Sequence, residues 1–353
     1  MKLIHTSDLH LDSPLTARLT PSEAKMRRRE LIESFRRMLE EAVRIGADGV
    51  IIAGDLFDNQ RVGIRVMDSI LGIIEKSGIS VFYLAGNHEK SRLTSSGVSI
   101  PDNLKIFGED WTYFEIGDVK LAGRTTVMKN MFNSLSLSEG DKNIVVLHGM
   151  LADHSGFPDK IGIDGVENHP IDYLALGHYH TYSETKIGER TRAVYCGTPE
   201  GRGFDEVGDK GYVIIDTDAT PMTAKFAKRC QRTLHAIPVD ISGAKRSIDI
   251  EDRVALAISA LKSDDLVRVL LVGEHNPDST RDVEALKERF RSYFFYFEVK
   301  DESKLKISAQ DYKNDKSLKG EFIRLVMAKE GLDEAERDAI IECGIKAMAG
   351  EMI

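Results

Sequence analysis

Seven residues of this chain have the types and spacing to do chemistry: Asp8, His10, Asp55, Asn87, His148, His178 and His180. Imidazole nitrogens mixed with carboxylate and amide oxygens suit borderline-hard divalent ions such as manganese, iron or zinc. Asp8 and His10 are two apart, as are His178 and His180. In extended backbone, i and i+2 point the same way, so each pair can grip from one side. Two ions sharing a carboxylate sit roughly 3.5–4 Å apart and clamp a phosphate between them. Asp55 is the choice for the shared ligand, because Gly54 allows a tight turn that exposes it. A lone histidine is usually structural or solvated, and a lone aspartate after a strand is usually a cap. Five such motifs, each in the same setting, weigh against that reading for the set.

The setting is the carboxyl end of an apolar strand. Lys2 to Ser7 reads as a short strand that runs into Asp8-Leu9-His10. Gly49 to Ala53 is a continuous apolar run before Gly54-Asp55, which suits a strand buried on both faces. Ile79 to Ala85 ends at Gly86-Asn87-His88-Glu89, Ile144 to Leu147 at His148-Gly149, and Tyr173 to Leu176 at Gly177-His178-Tyr179-His180. Helices alternate with the first of these strands. Thr20 can cap a helix, Pro21 suits its first position, and Glu23 completes a capping box. Leu31, Phe35, Met38, Leu39, Ala42 and Val43 then recur at helical spacing. Val62 to Lys76 reads as a second helix. The alternation predicts an α/β fold, and open α/β sheets bind ligands at the carboxyl ends of their strands.

Gly211 to Asp216 closes this region, and the chain changes character near Lys228. Strands at His235–Ile241, Leu266–Val272 and Tyr293–Val299 alternate with helices at Ile250–Leu261 and Asp282–Phe290. Two further helices, Leu318–Lys329 and Asp333–Ala349, flank Gly331. The expected domains are therefore residues 1–228 for catalysis, 229–310 as a small α/β unit, and 311–353 as a linker with terminal helices.

The 353 residues carry a formal net charge of −9, which argues against a bulk electrostatic grip on nucleic acid. Local basic patches or a partner would have to supply it. Cys196, Cys230 and Cys343 are far apart and form no CxxC pair, so neither a thiolate zinc site nor a disulfide framework is indicated. A reducing compartment fits. The N-terminus reaches Asp8 before an apolar signal region could form, and no run approaches the ~18 apolar residues of a membrane span. The expected location is the cytoplasm, with no membrane contact.

The series Asp8-Leu9-His10, Gly54-Asp55-Leu56-Phe57-Asp58, Gly86-Asn87-His88-Glu89, His148-Gly149 and Gly177-His178-Tyr179-His180 resembles the DxH, GDxxD, GNHE, HG and GHxH pattern of the calcineurin-like metallophosphoesterases. The resemblance spans roughly the first two-thirds of the chain. It implies two packed mixed β-sheets flanked by helices. It also implies roles: one ion held by Asp8, His10, Asp55 and His180, the other by Asp55, Asn87, His148 and His178. His88 would help protonate the leaving oxygen or steady the transition state. The expected cofactor is a pair of divalent ions, manganese first, with iron, zinc or magnesium as alternatives.

Within that superfamily, His5-Thr6-Ser7-Asp8-Leu9-His10-Leu11 resembles the opening of the SbcD-type DNA repair exonucleases, and their YhaO-type branch in particular. Tyr195-Cys196-Gly197-Thr198-Pro199-Glu200, then Phe204-Asp205-Glu206 and Lys210-Gly211, resemble that family's segment after GHxH. Some relatives carry a histidine at the place of Asp58. The likeness implies a metal-dependent DNA nuclease, with the small domain as a cap and the terminal helices docking an SbcC-type, SMC-like ATPase. A homodimer is one arrangement it allows. A phosphodiesterase or phosphatase for small nucleotides is the alternative enzyme, and a scaffold without turnover is the alternative of another class.

Outside the ligand set, Arg61 and Arg65 follow Asp55 closely and are candidates for phosphate contacts, as is Arg202. Arg27, Arg28, Arg29, Arg36 and Arg37 crowd the first helix, where Glu30, Glu33 and Glu40 at pairing distance point to a solvated face. Tyr293 to Phe297 reads as a half-buried strand, His5 as a packing residue, and His169, His235 and His275 as surface or loop positions.

Overall fold

Strands β1 (Lys2–Thr6) and β2 (Gly49–Ala53) lie between two hydrophobic layers, which is why their apolar runs are continuous. Leu3, Ile51 and Ala53 face one layer, and Ile4, Val50 and Ile52 face the other. The computed structural model describes residues 1–15, 19–58, 62–86, 93, 97–153, 160–276, 279, 281–306 and 312–349. Asn87, His88 and Arg61 lie outside the described residues.

The chain divides into two compact units, Met1–Thr233 and Leu234–Ile353. In the first, helix α1 (Pro21–Arg44) begins at the expected capping box: Thr20 Oγ1 accepts from the Glu23 amide, and Glu23 reaches back to the Thr20 amide. Helix α2 spans Ile64–Ser77 and stops at Gly78, which adopts the left-handed conformation. Strands β3 (Ser80–Leu84), β4 (Leu104–Ile106), β5 (Thr112–Ile116), β6 (Val119–Gly123) and β7 (Lys142–His148) come next. A short pair, β8 (Met150–Ala152) and β9 (Lys160–Gly162), precedes the brief helix α3 (Ile163–Glu167). Strands β10 (Tyr173–Gly177), β11 (Ser183–Ile187), β12 (Thr191–Tyr195), β13 (Gly211–Asp216) and β14 (Thr223–Lys228) complete the unit.

These strands form two six-stranded mixed sheets, ordered β14-β13-β1-β2-β3-β4 and β11-β12-β10-β7-β6-β5. β1 to β4 run parallel, and so do β6, β7, β10 and β12. Leu3, Ile51, Phe82 and Leu84 of the first sheet pack with Leu121, Ile144, Val146 and Ala175 of the second. Leu31, Phe35, Met38 and Leu39 of α1 cover the outer face of the first sheet, each contributing about 1.5–3 kcal/mol by leaving water. Met131, Phe132 and Val166 cover the outer face of the second. This is the pair of packed sheets flanked by helices that the resemblance implies.

The arginine-rich face of α1 is solvated in part. Arg36 and Arg37 pair with Glu33, and Arg36 also with Glu40. Arg27 departs from the expectation. It is buried, donating to the Gly201 carbonyl at 2.7 Å and to Glu30 at 2.5 Å, and so ties α1 to the segment after β12.

The second unit holds a parallel three-stranded sheet of β15 (Leu234–Asp240), β16 (Leu266–Val272) and β18 (Tyr296–Asp301), in that order. Helices α4 (Ser247–Ile258) and α5 (Val283–Phe290) supply its crossovers, and Ile250, Val254, Leu286 and Phe290 join Val267, Val269 and Leu271 in one core. The expected strand at Tyr293 begins only at Tyr296, because Arg291–Tyr293 form a 3-10 turn that lets Phe290 and Phe297 meet. Strands β17 (Glu274–His275) and β19 (Lys304–Leu305) make a small parallel pair. His275, expected at the surface, is buried there with Nδ1 3.0 Å from Arg281 Nη1. The terminal helices α6 (Leu318–Met327) and α7 (Glu334–Ala349) pack on each other through Ile323, Val326 and Ile341, with Tyr312 joining them.

Candidate metal centre

The parallel strands of both sheets bring their carboxyl ends together, and six ligand-type residues with described positions meet there. Asp8, His10 and His180 form one group that could hold an ion, and Asp8, Asp55 and His148 form a second. Asp55 Oδ2 lies 3.4 Å from His148 Nε2 and 3.9 Å from His10 Nε2, so it faces a histidine of each group, while Asp8 belongs to both. The His148 ring meets His178 edge-on at 5.3 Å, and the His10 ring meets His180 at the same spacing. The two histidines of the GHxH motif thus part company, His178 toward His148 and His180 toward Asp8 and His10.

The two-apart pairs do not converge through extended backbone, the conformation that their spacing predicts. Asp8, His10 and Asp55 have φ of +51°, +44° and +49°, and His178 has +95°. Left-handed backbone in non-glycine residues costs energy and gathers where function requires it. Here it lets the β1 and β2 ends continue side by side after the strands stop. The amides of Asp8, His10 and Leu11 donate to the carbonyls of Gly54, Asp55 and Leu56, each at 3.0 Å.

Close packing of the motifs explains their glycines. A Cβ on Gly54 would fall 2.0 Å from His148 Nδ1, and one on Gly86 would fall 1.9 Å from Asp55 Oδ1. Any side chain there would occupy the place of a ligand. Gly54 does more than open a turn, since its φ of +98° also suits no other residue well.

Each ligand is oriented from behind. His148 Nδ1 lies 2.9 Å from the Ala53 carbonyl, which turns Nε2 toward Asp55. His180 Nδ1 lies 2.7 Å from Glu206 Oε1, and its carbonyl accepts from Lys210 Nζ at 2.7 Å. Asp8 accepts from Ser7 Oγ and from the His178 amide. Second-layer partners of this kind fix the tautomer and aim of metal-binding groups. His5 is also buried here, but its Nδ1 lies 2.9 Å from Tyr173 Oη, and burial holds it neutral, with a pKa near 3. It packs between the sheets, as expected.

Buried anions need cations nearby. Burial alone would raise the pKa of Asp8, but the facing imidazoles of His180 and His148 and the hydrogen bond from Ser7 bring it down to about 2. Burial would lower both imidazoles. The Asp55 carboxylate beside it and the charge of Asp8 instead lift His148 to about 9, and Asp8 and Glu206 lift His180 to about 9. The centre therefore collects positive charge, as protons or as metal ions. Asp55 Oδ1 is buried with no hydrogen-bond partner among the described residues, and His148 Nε2 is buried with the Asp55 carboxylate facing it at 3.4 Å. Nitrogen and oxygen donors arranged like this fit divalent ions of the manganese, iron and zinc type.

The three arginines offered as substrate contacts fare differently. Arg61 is not among the described residues. Arg65 is exposed on the first turn of α2. Arg202 is mostly buried and engaged with Glu206 and Asp58. Glu206, Lys210 and Ser7 had appeared in the sequence only as parts of resembling segments, and no spacing rule singled them out.

The calcineurin-like phosphoesterase family matches residues 1–182. An uncharacterized metallophosphoesterase of Bacillus subtilis, YhaO, is 26% identical over 82% of this chain and 78% of its own length. The DNA double-strand break repair protein Mre11 of Methanosarcina mazei is 26% identical over 61% of this chain and 36% of its own. Its counterpart in Methanopyrus kandleri is 25% identical over 72% and 62%. The chain therefore covers less than two-thirds of either Mre11 protein. No described helix is long and apolar enough to cross a membrane. With its two sheets, its clustered ligands and a match over half its length, the chain belongs to the calcineurin-like phosphoesterase family and is a metal-dependent phosphoesterase.

Proposed function

We propose that the protein is a two-metal DNA nuclease that cuts phosphodiester bonds, an exonuclease of DNA repair working with an SbcC-type ATPase. The observation that carries the two-metal reading is the convergence of two ligand groups on a pair of buried carboxylates, Asp8 and Asp55. The similarity to proteins named for double-strand break repair supports the choice of DNA. In this reading Asp8, His10, Asp55 and His180 hold one ion and Asp55, Asn87, His148 and His178 the other, with manganese as the metal. When bound, two such ions neutralise phosphate charge and lower the pKa of water enough to furnish a nucleophile near neutral pH.

The chain's own residues then have separable tasks. Asp55 supplies charge to both subsites from one side chain. His148 and His180 give up the protons that they hold in the metal-free state. His88, next to Asn87, delivers a proton to the leaving oxygen or steadies the transition state. Leu318 and Leu325 are exposed two turns apart on α6, an apolar edge suited to a helical partner.

The test is manganese-dependent digestion of end-labelled single- and double-stranded DNA, run beside a chromogenic phosphodiester. The expected result is shortening of labelled DNA from its ends. Hydrolysis of the small ester with no attack on any DNA would move the assignment to a small-nucleotide phosphodiesterase.

A further inference from the structure

Behind His10 and His180 stands a linked series of charges. His10 Nδ1 lies 3.2 Å from Asp58 Oδ1, and His180 Nδ1 lies 2.7 Å from Glu206 Oε1. Arg202 joins the two carboxylates. Its Nη2 donates to Glu206 Oε1 at 2.7 Å, and its Nη1 reaches Asp58 Oδ1 at 3.4 Å. Its own amide donates to Glu206 Oε2 at 2.7 Å, so Glu206 is held at both oxygens. Only 17% of the Arg202 side chain is exposed, which leaves little of it to meet a phosphate.

We propose that Asp58, Arg202 and Glu206 are positioning residues that hold the outer nitrogens of His10 and His180, so that both inner nitrogens face one divalent ion. The proposal rests on the metal-centre reading above. The inner nitrogens already point inward, His180 Nε2 at 3.6 Å from Asp8 and His10 Nε2 at 3.9 Å from Asp55. A carboxylate on the outer N–H fixes the tautomer and makes the inner nitrogen a better ligand. Two carboxylates serving neighbouring rings would repel each other across a poorly solvated gap. A guanidinium between them cancels that repulsion, and its planar fork can address both at once, which an ammonium cannot. Arg202 thereby makes the two histidines one unit.

The test is calorimetric titration of the full chain with manganese after chelator treatment. Wild type is expected to take up two ions. Arg202→Met should lose roughly 10–100-fold in affinity for one of them and keep the other unchanged. Arg202→Lys keeps the charge without the fork and should lose nearly as much. Circular dichroism of the metal-free variants checks that they fold. If Arg202→Met does not, Glu206→Gln decides by the same titration. It preserves volume, and the lost charge should weaken the same ion by about tenfold. Variants that bind both ions like wild type, with a raised KM for a phosphodiester instead, would overturn the proposal and make Arg202 a substrate contact. A wild-type chain that takes up no second ion would overturn the metal-centre reading itself, and this one with it.

Discussion

Raising the pH should strip stability from the metal-free protein through His148. Its imidazole is buried, and Asp55 and Asp8 outweigh the cost of burial to hold it protonated up to about 9, against 6.5 in an unfolded chain. A group whose pKa is raised by folding contributes fully below the unfolded value and loses that contribution as pH rises through the folded one. The window is therefore pH 6.5 to about 9. A gap of about 2.5 on the pH scale, at about 1.36 kcal/mol each, gives about 3 kcal/mol. For a domain of roughly 150–250 residues that is about 6–12 °C in Tm. His180 adds to it in the same direction, but its ring is partly open to solvent, so its share is smaller. Thermal unfolding of chelator-treated protein at half-unit pH steps reads the effect directly. Saturating manganese should flatten the curve, since a bound ion replaces the proton and its affinity rises as the imidazoles deprotonate. A metal-free Tm that stays level from pH 6.5 to 9, or a fall that manganese leaves untouched, would refute the reasoning.

Three further perturbations have defined outcomes. Asp55→Asn should abolish turnover and lower metal occupancy, because an amide cannot give charge to both subsites; two bound metals with near-normal turnover would end the shared-ligand role. His88→Ala should leave metal binding intact while slowing hydrolysis by about 10²–10⁴-fold, as loss of proton transfer or transition-state support does; metal loss would make His88 a ligand instead. Removing residues from Ser317 onward should give a soluble, active phosphoesterase with an unchanged Tm that no longer co-purifies with an SbcC-type ATPase. The small core of Ile323, Val326 and Ile341 is shared mainly between α6 and α7, which permits that result. Unfolding of the truncated chain would make the helices part of the domain instead.

Much of the centre was legible because the sheet speaks plainly in sequence. Gly49 to Ala53 had to be buried on both faces, and the residues just beyond such a strand had to lie at its carboxyl end. The glycine before Asp55 marked a tight turn, although the room that it and Gly86 leave for a neighbouring ligand needed coordinates. The conformation of the loops and the pairing of charges stayed hidden. Nothing in Asp8-Leu9-His10 announces a left-handed backbone. Glu206, Arg202 and Lys210 look like ordinary surface residues in a sequence, since such side chains are usually exposed. Their burial depends on which charges come to face them from Asp58 and His180, distant in the chain. Arg27 misled for the same reason: carboxylates at pairing distance placed it among solvated arginines, whereas the Gly201 carbonyl holds it inside together with Glu30.

The three backbone hydrogen bonds that run on past β1 and β2, from the amides of Asp8, His10 and Leu11, make the ligand loops an extension of the sheet. A binding loop that is disordered until its ion arrives loses conformational freedom on ordering, at about 1–2 kcal/mol per residue. The loops after β1 and β2 meet that cost when the domain folds, so an arriving ion does not have to order them. Opening them locally would mean breaking bonds continuous with the central strands of a buried sheet. Those three amides should accordingly exchange with solvent as slowly as the core, with or without metal. The part of the template that Asp8, His10 and Asp55 supply then lasts as long as the sheet itself.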